Sequence, residues 1–171
     1  MQIRPTQIRP EQPGDEDAIH DLTVAAFAPM PYSQGTEAPI IRALRRDGDL
    51  TLSLVALHGP DIIGHIAFSP VTIDGRAEGW FGLGPVSVHP GFQRRGVGSL
   101  LVRQGLGALK AQGAKGCALI GDPDFYARFG FANDGRLDYG EVPAAYVQWL
   151  AFGAPCPRGR LGFSPAFDTQ P

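Results

Sequence analysis

The sequence predicts a single α+β domain in which helices cover both faces of a mixed sheet, as in an α/β/α sandwich. The first half of the chain contains two helical segments followed by three apolar, strand-forming runs. The middle then changes to strand, helix and strand, a crossover that joins parallel neighbours. The chain has 171 residues, of which 43% are hydrophobic and 19% charged, as expected for one globular domain.

The first third of the chain is predicted to contain a short strand at 6–9 and two helices. Acidic residues at 15–17 suit the positive end of a helix dipole, and apolar residues follow at helical spacing as far as Phe27. Prolines interrupt the next segment, because proline lacks the N–H group that a helix needs. A second helix is predicted over 37–46, just before an Asp-Gly pair.

Three apolar runs, at 51–57, 62–73 and 80–88, predict an antiparallel meander. The pair Asp74-Gly75 is a hairpin signal between the second and third runs. Pro70 lies inside the second run and indicates an edge or a bulge there, since proline cannot donate to a sheet ladder.

After the third run the pattern becomes helical. Apolar residues within 97–109 fall on one helical face, and Gly105 on that face would permit close approach to the sheet. A short buried strand is predicted at 117–120, which completes a crossover over 83–120. The remaining predicted elements are a short helix from 122 or 123 to 129, which Gly130 caps, and two strands at 145–152 and 160–163.

Charge and cysteine content exclude several classes of protein. The 17 acidic and 15 basic residues give a net charge of −2, so we expect neither nucleic acid nor an anionic membrane as a partner. Cys117 and Cys156 lie far apart without metal-type spacing, so neither a metal site nor a disulfide framework is expected. No apolar run approaches the roughly 20 residues that span a bilayer, and the N-terminus lacks a secretory apolar region. We therefore expect a cytoplasmic protein.

One segment carries most of the chemical information, where the strand at 80–88 leads through a glycine-containing loop into a helix. Backbone N–H groups of such a loop converge on one point and the helix dipole adds positive potential, which suits a phosphate or pyrophosphate. The P-loop string GxxxxGK[ST] is absent, and Leu101 stands where a dinucleotide fingerprint has its third glycine. These departures exclude a nucleotide-binding oxidoreductase. From the residues alone, a tight turn without a ligand remains the alternative.

The loop sequence Gln93-Arg94-Arg95-Gly96-Val97-Gly98 matches the Q/R-x-x-G-x-G/A motif of the GNAT superfamily of acyl-CoA-dependent N-acyltransferases. The chain resembles this superfamily over about residues 6–132, and Tyr126-Ala127-Arg128-Phe129-Gly130-Phe131 resembles its Y-x-x-x-G-F signature. The segment 121–126 and the tail resemble a bacterial subgroup of uncharacterised, YhbS-like members. We expect one N-acetyltransferase domain over 6–171, with its core at 6–132 and C-terminal strands within 133–171.

The resemblance implies that acetyl-CoA binds as a cosubstrate where two parallel strands splay apart. Backbone groups at the end of the strand 80–88 would bind the pantetheine, and the loop would bind the pyrophosphate. Glycines at 96 and 98 would let the backbone approach the anion. The implied cofactor-binding residues are Val86, Ser87, Val88, Gln93, Arg94, Arg95, Gly96, Val97, Gly98 and Ser99. The other expected partner is an amine acceptor, and a homodimer is left open.

By the same resemblance, Tyr126 is the catalytic acid that protonates the departing thiolate. The alternative from the residues alone is a packing aromatic beside Phe125 and Phe129. The general base stays open, because the place where some relatives carry a glutamate is near Gly82. The remaining candidates are Glu78, His65, His89, a water molecule, or an amine that arrives neutral.

The resemblance implies direct transfer of an acetyl group to a primary amine of a small molecule or peptide, in a ternary complex. Cys117 is expected to be a small core residue and not an acyl carrier. The loop 28–36 is expected to shape the acceptor pocket, with Met30 and Tyr32 on a partly apolar rim. The alternative function is a non-catalytic acyl-CoA-binding or interaction module.

Overall fold

The computed structural model describes residues 6–170, so the expected domain end at Pro171 lies outside the described residues. The helices in this part of the chain are α1 (Glu16–Phe27), α2 (Glu37–Asp47), α3 (Val97–Ala111) and α4 (Pro123–Tyr126). The strands in the same part are β1 (Gln7–Pro10), β2 (Leu52–His58), β3 (Asp61–Pro70), β4 (Thr72–Ile73), β5 (Trp80–Val88), β6 (Gly116–Ile120), β7 (Leu137–Asp138), β8 (Val147–Ala151) and β9 (Gly159–Gly162).

Six strands form a mixed sheet in the order β1-β2-β3-β5-β6-β8. The strands β2, β3 and β5 pair antiparallel as a meander, and β5 pairs with β6 in parallel across the α3 crossover. Helices α1 and α2 cover one face, where Ile19 and Ile41 pack with Val55. Helix α3 covers the other face, where Leu101 packs among Ile66 and its neighbours. The predicted α+β sandwich with a mixed sheet is confirmed.

The close approach of α3 to the sheet depends on Gly105. A Cβ atom at this position would overlap the ring of Phe68, which is fully buried. The sheet has a matching glycine that faces the helix. At Gly64 of β3, a Cβ would lie 3.0 Å from both Leu101 Cδ1 and Val97 Cγ1 of α3. Two glycines on facing elements therefore set the distance between α3 and the meander.

The prediction of one strand over 62–73 is wrong, because the run is divided. Strand β3 ends at Pro70, and β4 pairs with β9 in a second, three-stranded sheet of order β4-β9-β7. Proline ends the ladder since it has no N–H group to donate. Asp74 and Gly75 do form a tight turn, with φ angles of 52° and 76°. That turn follows β4 and brings Arg76 back beside Ile73, so it is not a hairpin that joins β3 directly to β5.

The tail returns to the main sheet and adds its last strand. Strand β8 pairs antiparallel with β6 from Gly116↔Ala151 to Ile120↔Val147, and β9 belongs to the second sheet. Strand β8 is shorter than the predicted 145–152, β9 has the predicted length but begins one residue earlier than 160–163, and β7 was not expected. The short helix after β6 is α4 followed by a 3₁₀ turn that Gly130 ends in the left-handed conformation.

Within residues 6–170, no helix combines the length and hydrophobicity needed to cross a membrane.

Candidate functional site

The parallel strands β5 and β6 pair only where they begin, from Trp80↔Gly116 to Gly82↔Ala118. Beyond Gly82 no further pairs join them, and a gap opens between the two strands. At this point Gly84 and Pro85 together lie opposite one residue of β3, Ala67, which is a β-bulge. The bulge shifts the alternation of backbone groups along the rest of β5.

Past the bulge, alternate residues of β5 present their backbone groups to the gap. The N–H of His89 donates to the carbonyl of Ile63 in β3 at 2.8 Å. Because directions alternate along a strand, the polar backbone groups of Val88 and Val86 face away from β3. The Val88 carbonyl accepts a hydrogen bond from the Gln93 side-chain amide at 3.0 Å. The N–H groups of Val86 and Val88, and the Val86 carbonyl, are directed into the gap.

Ser87 lies between these two residues, but its backbone groups point toward β3 and not into the gap. It pairs with His65 of β3, and its side chain is 2% exposed. Directly paired residues share a face of a sheet, so the Ser87 hydroxyl lies on the face that α1 and α2 cover, as His65 does. Of the three β5 residues predicted to bind the cofactor, Ser87 is the one whose polar groups do not point into the gap.

The predicted pyrophosphate loop leads from β5 into the N-terminus of α3. Gly96 caps the helix with a φ of +82°, and residues 93–96 are exposed. The first backbone bond of the helix runs from the Leu100 N–H to the Gly96 carbonyl, so the preceding amides of Val97, Gly98 and Ser99 have no partner within the helix. These amides and the positive end of the helix dipole lie beside the gap, an arrangement that suits an anion.

Two arginines stand in this loop. Arg94 has a φ of +64°, and the guanidinium of Arg95 lies 5.6 Å from the centroid of the Phe92 ring. Both side chains are exposed, so they add positive charge at the surface of the loop. The structure therefore brings all seven predicted loop residues, from Gln93 to Ser99, to one end of the β5–β6 gap.

A cavity of about 1060 Å³ continues from the gap toward α1, α2 and the tail. Eight of its lining residues are aromatic and two, Glu37 and Asp122, are acidic, whereas no lysine, arginine or histidine among the described residues lines it. The lining residues are Phe27, Tyr32, Glu37, Ile40, Leu83, Gly84, Pro85, Val86, Ile120, Gly121, Asp122, Phe125, Tyr126, Tyr139, Val142, Tyr146, Phe163 and Phe167. The expected rim residue Tyr32 is present and 72% exposed, while Met30 does not line the cavity.

Tyr126 lies in α4, directly after β6, and lines the cavity at the mouth of the gap. Its ring also contacts Phe125 edge-on, with 4.9 Å between centroids. Tyr126 is therefore both a packed aromatic and a residue that lines the cavity. Burial, with smaller contributions from Cys117, Tyr32 and Asp122, raises the pKa of Tyr126 to about 12. The hydroxyl therefore keeps its proton at neutral pH and can donate it.

None of the three side chains predicted as candidate bases lines this cavity. The Nε2 atom of His65 lies 2.8 Å from the Ser53 hydroxyl, and burial lowers the pKa of this histidine to about 4. His89 accepts a hydrogen bond from the Gly91 N–H at 3.0 Å, and Glu78 lies in the connection before β5.

The position near Gly82 also has no room for a side chain. A Cβ there would lie 2.9 Å from Val71 Cγ1 and 3.2 Å from the Phe163 ring. The acidic groups that do line the cavity, Glu37 and Asp122, were missed by the sequence analysis. The sequence offered only a weak signal for each of them, its neighbourhood in the chain: Glu37 follows the loop predicted to shape the pocket, and Asp122 lies in the segment that resembles the bacterial subgroup.

The two cysteines lie outside the cavity. Cys117 is fully buried in β6, and burial raises the pKa of its thiol above the ordinary value. Burial also raises the pKa of Cys156 to about 11. Neither thiol is therefore an available nucleophile. Over residues 6–170, no group of three or more His, Cys, Asp and Glu side chains is arranged to hold a metal ion.

Comparison with known proteins gives consistent matches. The profile described as the Acetyltransferase (GNAT) family matches residues 16–131. The uncharacterised N-acetyltransferase YhbS of Escherichia coli strain K12 is 38% identical over 125 residues, which are 72% of this chain and 72% of that protein.

Two solved structures resemble the whole chain. A GNAT family acetyltransferase from Brucella melitensis, solved with acetyl-CoA, is 47% identical, with a TM-score of 0.87 and coverage of 96% of this chain and 99% of that one. Escherichia coli YhbS, solved with CoA, is 28% identical, with a TM-score of 0.87 and coverage of 99% and 97%.

Proposed function

Because the chain belongs to the GNAT acetyltransferase family, as a YhbS-like member, we propose that it transfers an acetyl group from acetyl-CoA to a primary amine of a small molecule or peptide. The observation that carries this proposal is the meeting of three features at one place: the open edge of β5, the anion-binding end of α3 and the cavity beside Tyr126. The acetyl-CoA and CoA in the two similar structures support the assignment of the nucleotide.

In the proposed complex, the pyrophosphate lies on the amides of Val97, Gly98 and Ser99. Gly98 has no side chain to stand in front of these amides, and the space around it is open, with Val88 Cγ2 3.7 Å from the place that a Cβ would take. The pantetheine follows β5 as an added strand and hydrogen-bonds the backbone groups of Val86 and Val88 that face the gap. This places the thioester at the mouth of the gap, beside Tyr126 and the cavity.

The proposed chemistry is direct attack in a ternary complex. The neutral amine forms a bond to the thioester carbon, the carbon–sulfur bond breaks, and the electron pair leaves on sulfur. Tyr126 donates its proton to that thiolate and is reprotonated from solvent. The proton of the amine passes to a carboxylate that lines the cavity, Glu37 or Asp122, directly or through water. The amide product and free CoA then leave.

Two measurements test this proposal. Acetyl-CoA should raise the melting temperature, because a ligand that binds only the folded state stabilises it by mass action, whereas NAD and ATP should have much less effect. With a panel of primary amines, thiol release should be matched by one acetylated amine per thiol, measured by mass spectrometry. Acetyl-CoA binding without transfer to any amine would instead indicate a binding module. No binding of acetyl-CoA would contradict both functions.

A further inference from the structure

The part of the cavity away from the β5–β6 gap has a wall of distinct chemistry. Helices α1 and α2 with their connection form one side, and the C-terminal tail forms the other. Six aromatic side chains line this acceptor wall: Phe27, Tyr32, Tyr139, Tyr146, Phe163 and Phe167. Two of their contacts are ring to ring, with centroids 5.2 Å apart for Tyr139 and Phe163 and 5.3 Å apart for Phe163 and Phe167.

Glu37 is the one charged side chain on this wall among the described residues. Its carboxylate accepts a hydrogen bond from the Ser33 hydroxyl at 2.5 Å, which fixes its direction. No cationic side chain lines the cavity within the described part of the chain, so nothing in the lining neutralises a negative charge there. Such a wall favours a cation, which Glu37 attracts directly and the aromatic faces attract through their quadrupoles.

We propose that the acceptor is a small primary amine carried on an apolar body and free of carboxylate or phosphate groups, with its ammonium held by Glu37 and its body against the aromatic wall. This inference rests on the proposed acetyl transfer and narrows its acceptor. An anionic group on the ligand would lie near Glu37 and Asp122 without a cationic partner, so the lining selects against it. A hydrophilic amine would leave the aromatic wall without contacts and would bind weakly.

Glu37 has two tasks in this arrangement. It pairs with the ammonium when the acceptor enters, and that pairing favours the protonated amine. Attack on the thioester requires the neutral amine, so the proton must leave before the carbon–nitrogen bond forms. The same carboxylate is the base beside it: it takes that proton and releases it to solvent, so it is unprotonated again when the attacking nitrogen loses its second proton. Loss of the Glu37 charge should therefore raise KM for the amine and lower kcat, without changing acetyl-CoA binding.

Three acceptors that differ by one group each test the inference. With acetyl-CoA in excess, kcat/KM from thiol release is compared for 2-phenylethylamine, for phenylalanine, which adds a carboxylate, and for ethanolamine, which lacks the apolar body. We expect 2-phenylethylamine to exceed the other two by at least about tenfold. Glu37→Gln should raise KM for 2-phenylethylamine by about tenfold to a hundredfold, as loss of a charged hydrogen bond does.

Glu16→Gln is the matched control, because Glu16 occupies the first turn of α1 as Glu37 occupies that of α2, but is exposed and does not line the cavity. This control should leave KM unchanged. Tyr32→Ala tests the wall without risk to the fold, since Tyr32 is 72% exposed, and should also raise KM for 2-phenylethylamine.

The outcomes separate this inference from the proposed function. Preferred transfer to phenylalanine or ethanolamine would overturn the acceptor class and leave the proposed acetyl transfer standing. If no amine is acetylated, calorimetry of 2-phenylethylamine with the acetyl-CoA-bound protein decides. Binding that Glu37→Gln weakens would support the site and contradict the transfer, whereas no binding would overturn the inference as well.

Discussion

The side-chain amide of Gln93 donates a hydrogen bond to the backbone carbonyl of Val88 at 3.0 Å. This bond joins the first residue of the pyrophosphate loop to the last residue of β5. It occupies one acceptor of the open strand edge and leaves the other polar groups of Val86 and Val88 for the proposed contacts with pantetheine. It adds a side-chain contact between the loop and the edge of the gap, the two halves of the proposed acetyl-CoA site, and Gln93 itself is exposed.

Gln93→Ala should weaken acetyl-CoA binding by about twofold to tenfold, the effect of one net hydrogen bond. The melting temperature of the free protein should change little, because Gln93 is exposed. Titration calorimetry with acetyl-CoA measures the affinity. Gln104→Ala, an exposed glutamine in the middle of α3, is the control and should bind normally. Equal affinity for both variants would show that the loop does not need this bond.

Gly98→Val should abolish the stabilisation by acetyl-CoA, because the valine side chain would occupy the approach to the amides of the first turn. The folded state should survive, since a Cβ at Gly98 makes ordinary contacts of 3.7 Å and 3.9 Å. Gly107→Val is the control on the same helix, at an exposed position with open space around it. Thermal shift with and without acetyl-CoA checks both variants. Normal binding by Gly98→Val would place the pyrophosphate elsewhere.

Much of this site could be predicted because its signals are local. The loop and the start of α3 come from one continuous segment, and the predicted bounds of the third strand, 80–88, equal those of β5. The close approach of α3 to the sheet could also be predicted, because Gly105 stands on the apolar face of the helix. Only a residue without a side chain leaves room there for the ring of Phe68.

The acceptor side of the cavity could not be predicted in the same way. Glu37, Tyr139 and Phe163 lie far apart in the chain and meet only because the tail folds back over α2 and the β5–β6 gap. The direction of the Ser87 side chain depends on the bulge at Gly84 and Pro85, which shifts the alternation along β5. The composition of the acceptor side and the direction of Ser87 both depend on which segments pack or pair in the folded chain. Strand propensities of single residues carry no information about that.

Tyr126→Phe should lower kcat by about a hundredfold to ten-thousandfold, the usual contribution of a general acid. The ring and its contact with Phe125 remain, so the melting temperature and the affinity for acetyl-CoA should be close to those of the unaltered protein. The measurement is kcat with saturating amine, under conditions where chemistry limits the rate. Tyr139→Phe is the control for loss of a hydroxyl, because its ring keeps its contact with Phe163 on the side of the cavity away from the gap, and it should leave kcat with saturating amine close to normal. An unchanged kcat would make Tyr126 a structural aromatic.

Gly105→Ala should destabilise the protein by about 1–3 kcal/mol, the usual cost of an extra methyl group in a packed interior. The added Cβ would overlap the buried ring of Phe68, which cannot move without displacing α3. Gly107→Ala, two residues away on the exposed side, should instead stabilise the helix by up to about 1 kcal/mol. Urea denaturation of the two variants measures opposite shifts. A neutral result for Gly105→Ala would mean that α3 lies farther from the sheet.

Stability should fall as pH is lowered from 7 to 5 because of His65. Burial lowers the pKa of this histidine from 6.5 to about 4, so in that range the unfolded chain gains a proton that the folded protein does not. The contribution of His65 is complete above pH 6.5 and is lost between pH 6.5 and 4. For that shift the loss between pH 7 and pH 5 is about 2 kcal/mol.

The charged neighbours of His65 do not change the sign of this effect. Hydrogen bonds from Arg45 and Ser53 hold the pKa of Glu11 below its usual range although burial opposes them, so Glu11 loses its contribution at lower pH than His65 does. His65→Gln should therefore abolish most of the decrease in unfolding free energy between pH 7 and pH 5. Urea denaturation of both proteins at the two pH values measures it. Equal decreases in the two proteins would place the responsible proton on another group and would mean that His65 titrates normally in the folded state.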